Sequence, residues 1–458
     1  MSEAKKSVSS RREFLKNTGR IAAATSLVGM AIPRVHAAED NTIQVALIGC
    51  GGRGTGAAAN ALAVKQGPVK LVALADVFEN RVKGSASGLK SQFPNQFDVP
   101  EERQFVGFDG YQKAMDCLKP GDVAIFASPL AFRWVHFGYA IEKGLNVFME
   151  KPVTADGPTS RRMLKLAEES VAKNLKVGVG LMSRHSRALE QLHQRVQDGA
   201  IGDIVAMRAY RMTGPVGSAF SEKWSGSPSE LLYQIQRFHS FIWASGGCFN
   251  DFYIHVIDHC CWMKNAWPVK AQAIGGRHYR QNAVDQNFDS YSVEYTFPDG
   301  AKLILDGRCM VGCSQFYSSF AHGTKGSAVI SKSGDCGAPS SIYTGQQPER
   351  DKMTWQSEIP AGEGNPYDNE WNDLVDAIRN DKPFNEAKRG VEASVVSSLG
   401  RMAAHTGQEM TYEQFLSSDH EYAPGADKFT MDSPAPLQAD AEGKYPIPQP
   451  GIVTNREF

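Results

Sequence analysis

Ile43-Gln44-Val45-Ala46-Leu47-Ile48-Gly49-Cys50-Gly51-Gly52-Arg53-Gly54 is the stretch on which the fold turns. A short apolar run leads straight into a Gly-x-Gly-x-x-Gly turn, and the small residues Ala57, Ala58 and Ala59 follow. That composition suits a buried strand, a tight turn and a helix packed closely on the sheet. Gly49, Gly51, Gly52 and Gly54 let the backbone approach a pyrophosphate, whose charge rests on helix N-terminal amides. A second apolar run, 69–76, closes on Asp76 one βαβ unit further on. There a carboxylate can accept ribose hydroxyls and repel a 2′-phosphate, so the loop predicts NAD, with NADP possible because Arg81 is near. Arg53, inside the loop, either touches phosphate or is simply exposed.

Working outward, residues 123–128 and 147–150 read as further buried strands with a helix over 134–143 between them, and 176–181 continues the alternation. Strands alternating with helices predict a parallel, doubly wound sheet. The pattern changes after about residue 200. Strands are expected over 203–210, 269–276, 289–297, 301–309 and 327–331, with Pro298-Asp299-Gly300 turning a hairpin. Hairpin-joined strands predict an open antiparallel sheet in a second α/β domain. Two late helices, 368–380 and 390–405, follow. After Ser417 the chain is rich in proline and small polar residues, and is expected to wrap the surface or a neighbouring subunit rather than form core. The expected segments are 1–38, 42–170, 171–417 and an extended tail, 418–458.

With 458 residues the chain exceeds one ordinary core, and its 42% hydrophobic and 22% charged content is that of a globular protein. A net charge of −1 gives no electrostatic case for nucleic acid or an anionic membrane. The 8 cysteines show no CxxC and no His-rich partner cluster, so neither a disulfide framework nor a metal site is expected.

Ser10-Arg11-Arg12-Glu13-Phe14-Leu15-Lys16 matches the twin-arginine export consensus. A weakly apolar run over 21–32 and the small-residue site Val35-His36-Ala37 complete a signal peptide, too short to span a membrane. A periplasmic or otherwise exported mature protein is expected, with no membrane attachment after cleavage. Export by this route carries folded, cofactor-loaded proteins into a compartment without free NAD, so the cofactor should stay bound through turnover.

The stretch Gly246 to Trp262, GGCFNDFYIHVIDHCCW, sets Asp251, His255 and Asp258 at i, i+4 and i+7 of one expected helix, on a single face. A carboxylate one turn before an imidazole can orient it for proton transfer. A buried structural histidine is the competing reading. Glu150-Lys151-Pro152 ends a parallel strand at the sheet edge where such folds bind ligands. Lys151 there can polarise a substrate hydroxyl, or serve only solubility. The aromatic-rich segment 214–247 holds Trp224, Arg237 and His239. Of these, Trp224 and Arg237 are candidate substrate contacts, against a core or dimer role for the rings. Arg184 and His185 follow the 176–181 strand and could face the same cleft, and with Asp258 they are further candidate substrate contacts.

Four ordered motifs, AlaLeuIleGlyCysGlyGlyArgGly, AlaSerPro at 127–129, GluLysProVal at 150–153, and GlyGly with Asp251, His255 and Asp258, resemble the Gfo/Idh/MocA oxidoreductases, a family including glucose-fructose oxidoreductase and inositol dehydrogenases. The resemblance covers about 42–415. It implies a Rossmann domain, and a second domain whose open sheet carries substrate and subunit contacts. It also implies a catalytic set of Lys151, Asp251 and His255, with Ser128, Pro129, Glu150 and Lys151 at the nicotinamide cofactor. The expected activity is hydride transfer on a sugar, polyol or glycoside with tightly bound NAD(P), in a homodimer or homotetramer. Two alternatives stay open: a redox-neutral glycosidase that oxidises, eliminates and reduces again, and a catalytically dead sugar-binding protein.

Overall fold

The computed structural model describes residues 41–278, 280, 282–334 and 339–458, so the export signal expected over 1–38 lies outside the described residues. Six parallel strands form the first sheet: β1 (Ile43–Ile48), β2 (Val69–Asp76), β3 (Gln104–Val106), β4 (Val123–Phe126), β5 (Asn146–Met149) and β6 (Val177–Val179). Their order is β3-β2-β1-β4-β5-β6, the Rossmann arrangement, with the direction of winding reversing between β1 and β4. The crevice at that reversal opens beyond the strands' carboxyl ends, where such sheets take ligands. β4 is buried along its whole length, which is why it reads as continuous apolar sequence rather than alternation. Helix α1 (Gly52–Leu62) lays Ala57, Ala58 and Ala61 against this sheet with no exposure. Helices α2 (Arg133–Lys143) and α3 (Gly157–Ala172) flank β5 in sequence.

The second sheet has nine strands: β7 (Ile204–Thr213), β8 (Lys270–Gly276), β9 (Ser290–Thr296), β10 (Lys302–Cys309), β11 (Phe316–Gly323), β12 (Gly326–Ser331), β13 (Ser341–Thr344), β14 (Met353–Gln356) and β15 (Met410–Thr411). The order is β14-β13-β12-β11-β7-β10-β9-β8-β15. The antiparallel expectation needs one correction. β10 pairs parallel to β7, making the sheet mixed, while every other pair in it is antiparallel. The cause is the long helical crossover from β7 to β8. The β8-β9-β10 meander then reverses twice and brings β10 alongside β7 in the same direction.

Helix α4 (Ile254–Lys264) lies in that crossover, and α5 (Pro366–Arg379) and α6 (Ala387–Thr406) follow the sheet. α5 returns to the first domain, where Trp371, Leu374 and Val375 join the core of β1 and β2 and the Trp371 ring packs, tilted, against Phe148 at 4.6 Å. α6 is buried along most of its length. The tail does form core: Tyr422, Ala423, Ala426, Leu437 and Tyr445 are buried together with Phe132 and Trp243.

Candidate active site

The four loop glycines divide into two kinds. Gly49 has φ +98°, and a Cβ there would lie 2.5 Å from the Ala127 carbonyl carbon; at Gly54 it would lie 1.9 Å from the Gly49 oxygen. These two close the turn against the chain itself. A Cβ at Gly51 or Gly52 would meet nothing within 4 Å. At the N-terminus of α1, whose N-cap Gly51 supplies no side-chain bond, this leaves free amides and open space, a cradle that fits a pyrophosphate. The contrast is testable. Gly54→Ala should cost about 1–3 kcal/mol by overpacking. Gly51→Ala should leave stability within about 0.5 kcal/mol yet weaken nucleotide binding about tenfold or more. Urea unfolding and nucleotide titration check the pair, and equal effects on both readouts would refute the division.

The loop opens into a cleft of about 270 Å³, lined also by Asp76, Arg81, Ser128, Pro129 and His136. Asp76 Oδ2 accepts from the Cys50 amide at 2.7 Å and Oδ1 from the Phe78 amide at 3.0 Å, so the acid braces the loop as well as facing the cleft. Burial raises its pKa. Arg53 holds Glu150 at 2.5 Å and stacks over Tyr367, tying the glycine loop to the end of β5. These two candidate cofactor residues therefore contact each other. Ser128 lies 3.2 Å from His136 Nδ1, and its carbonyl accepts from buried Arg133 at 3.0 Å.

The single helix expected from Gly246 to Trp262 is broken. Gly246 and Gly247 take positive φ, Phe249–Tyr253 is π-helical, and the α-helix proper starts at Ile254. The wider π turn carries Asp251 off the face expected from an α-helical spacing, a local distortion common at functional sites. Lys151 Nζ donates to the Asp251 carbonyl at 2.7 Å and to Oδ1 at 3.3 Å. The other carboxylate oxygen, Oδ2, lies 3.2 Å from Nε2 of His239. The Ser218 amide donates to His239 Nδ1 at 3.2 Å, which leaves Nε2 as the ring nitrogen whose N–H is aimed at Asp251. Asp251 thus orients His239, not His255 as the spacing suggested. His239 was visible in the sequence only as one polar residue in the aromatic segment. The flanking Lys151 and His239 outweigh burial and hold the Asp251 pKa far below the carboxylate range.

His255 Nδ1 is buried without a hydrogen-bond partner among the described residues. Its pKa is pushed well down, first by burial and then by Lys151 and His259, while Asp251 opposes. Lys151, Asp251 and His255 are therefore one electrostatic cluster, with a neutral imidazole at neutral pH.

The substrate candidates are placed differently. Arg184 and Asp258 form a buried two-bond pair, at 2.8 and 2.7 Å, with Arg184 over Trp262. Asp258 therefore does not converge with Asp251. His185 sits between Asp373, 2.7 Å, and Glu386, 3.1 Å, whose charges outweigh burial and raise its pKa to about 10. Both pairings use these polar groups inside the fold. Trp224 is half-buried, its Nε1 donating to Pro228 O at 2.7 Å, and Arg237 is exposed. The segment instead reaches the cleft through Ile235 and Phe238. Among the described residues no His, Cys, Asp and Glu group is arranged to hold a metal.

Residues 189–329 match the model of the GFO/IDH/MocA C-terminal domain. An inositol 2-dehydrogenase of Corynebacterium glutamicum is 27% identical over 125 residues, which is 27% of this chain and 35% of that protein. Inositol 2-dehydrogenase 4 of Saccharopolyspora erythraea is 29% identical over 127 residues, 27% of this chain and 37% of that protein. The chain thus spans about a third of the length of these curated relatives. Among solved structures, the aldose-aldose oxidoreductase from Caulobacter crescentus complexed with glycerol superposes with a TM-score of 0.61 at 16% identity, over 81% of this chain and 99% of that one. The scyllo-inositol dehydrogenase from Lactobacillus casei with bound NAD(H) and scyllo-inositol gives 0.58 at 20% identity, over 81% and 99%. Likeness at these identities establishes the two-domain fold.

Proposed function

We propose that this chain is an NAD(P)-dependent oxidoreductase of the Gfo/Idh/MocA kind that oxidises a carbinol on a sugar, polyol or glycoside and keeps its nicotinamide cofactor bound. The observation that carries the reading is the Lys151, Asp251 and His255 cluster, set beyond β5 of the sheet whose glycine loop opens the cleft. The polyol dehydrogenases among the relatives support the substrate class. The residues fit a dinucleotide: an open glycine cradle at a helix N-terminus, and an acid at the end of β2.

Bound nicotinamide would supply the hydride acceptor. His255, neutral because burial and Lys151 disfavour its cation, takes the carbinol proton. The Lys151 ammonium stabilises the oxygen as that proton leaves, and hydride departure then closes the carbonyl. Ionised Asp251, 3.3 Å from Lys151, offsets the ammonium charge and fixes its direction. Export by the twin-arginine route and assembly through the second sheet, which exposes Ile274, Ile304 and Phe316, complete the proposal. Redox-neutral glycoside cleavage is the second reading. It draws support from Ala426, Asp427 and Phe429 of the tail, which line the same cleft, since a retained cofactor suits a cycle that returns it unchanged.

The first test is mass spectrometry of small molecules released by denaturing protein purified without added nucleotide. Stoichiometric NAD or NADP is expected. A protein that arrives empty and binds neither would sink the reading. With cofactor present, net nicotinamide reduction by a polyol separates dehydrogenase from glycosidase, which would release aglycone without net reduction.

A further inference from the structure

We infer that the C-terminal tail is a working part of the nucleotide site, with Asp427 and Phe429 forming a wall that must unseat before the nucleotide leaves. The inference rests on the nucleotide reading of the cleft. Asp427 and Phe429 line the same cleft as Gly51, Asp76 and Ser128. The Phe429 ring meets Phe132, just past β4, edge-on at 6.0 Å, and Phe108, just past β3, at 6.3 Å. Three distant segments thus build one aromatic wall at the carboxyl edge of the parallel sheet. Phe429 is only half-buried, so ring surface remains for a flat heteroaromatic partner such as a purine.

The wall is pinned on both sides. Before it, Glu421 takes a two-bond pair from Arg162 at 2.5 and 2.9 Å, and the Tyr422 amide donates to Asp156 at 3.1 Å. After it, Gln234 donates to the Leu437 carbonyl at 2.6 Å, and the Ala439 amide to Glu230 at 2.8 Å. Between the anchors, Pro424, Gly425, Asp427 and Lys428 are exposed, the small Ala426 is the only buried residue within 424–428, and Gly425 has φ +75°. The stretch bearing Phe429 can therefore lift while its flanks stay attached. Contacts between this wall and a bound nucleotide must break before it leaves, so their loss should show first in the dissociation rate.

The test uses the full chain, with NADH as probe and NADPH in parallel. Phe429→Ala removes little buried surface and should fold. Its NADH dissociation rate, followed by stopped-flow displacement, should rise about tenfold or more, with Phe429→Leu between. Trypsin cleavage after exposed Lys428 reports the opening directly. Saturating NADH should slow it about fivefold or more in the wild type. If the wild type binds NADH but Phe429→Ala releases it within about twofold of the wild-type rate, the tail merely packs there and the inference is overturned. Lys428 cleavage that ignores bound NADH overturns it equally. A wild type that binds neither nucleotide overturns the reading of the cleft and this inference together.

Discussion

Glu457→Gln is expected to destabilise the fold by about 3–5 kcal/mol, the cost of stranding a buried charge. Glu457 and Arg401 are both fully buried, and Arg401 donates to the two carboxylate oxygens at 2.8 and 2.9 Å. His405 Nδ1 lies 2.7 Å from the same carboxylate, and the Tyr422 hydroxyl donates to it. Arg401 also donates to the carbonyls of Gly246 at 3.1 Å and Ala155 at 2.8 Å. These lie five residues from Asp251 and four from Lys151, so the tail's carboxylate neutralises the cation that clasps the two segments bearing them. Arg401 holds the Glu457 pKa far below its ordinary value of 4.5 despite burial. A depressed carboxylate pKa means stability that is complete above about pH 4.5 and drains away as pH falls further. The difference between wild type and variant should accordingly shrink below pH 4.5. Urea midpoints at pH 7 and pH 4 measure it. A midpoint unchanged at pH 7 would remove the argument.

How much of this was legible beforehand follows the range of each interaction. The glycine loop, β1, β2 and the acid ending β2 are local signals, since turn chemistry and apolar runs act over a few residues, and all are found where expected. β11, with Ser318 and Ser319 inside it, and the four-residue β13 and β14 lack a sustained apolar period, so β11 and the β14-β13 edge of the second sheet were invisible. The parallel β7 and β10 pair depends on a crossover path that no local pattern encodes. At the site, Lys151 and His255 were picked out from type and position, but the partner of Asp251 was not. Spacing assumed an α-helix, and the π turn redirected the carboxylate toward His239. Arg184 with Asp258, His185 with Asp373, and Arg401 with Glu457 are pairs between distant segments, readable only once folded. The tail, with its prolines and no hydrophobic period, gave no sign that Phe429 would line a cleft opened by residues near the other end of the chain.

His255→Ala should lower single-turnover reduction of bound nicotinamide by about 10²–10⁴, the usual worth of a positioned proton acceptor. Nucleotide affinity should stay within about twofold, because His255 is not among the residues lining the cleft beside the glycine loop. The pH dependence separates catalysis from packing. Burial, Lys151 and His259 keep the His255 cation unfavourable well below its ordinary pKa of 6.5. Wild-type turnover should therefore show no acid limb near pH 6.5 from this group, and the variant should be slow by a similar factor across the neutral range. Free imidazole, small enough to occupy the vacated space, should restore part of the rate without changing the unfolding midpoint. A merely structural histidine predicts the reverse: a lowered midpoint, disturbed nucleotide binding and no chemical rescue. Lys151→Ala offers the matched comparison, because losing the ammonium removes oxygen stabilisation that imidazole cannot replace. Rescue confined to His255→Ala would assign the proton to His255 and the oxygen to Lys151, whereas turnover unchanged in His255→Ala would dismantle that division of labour.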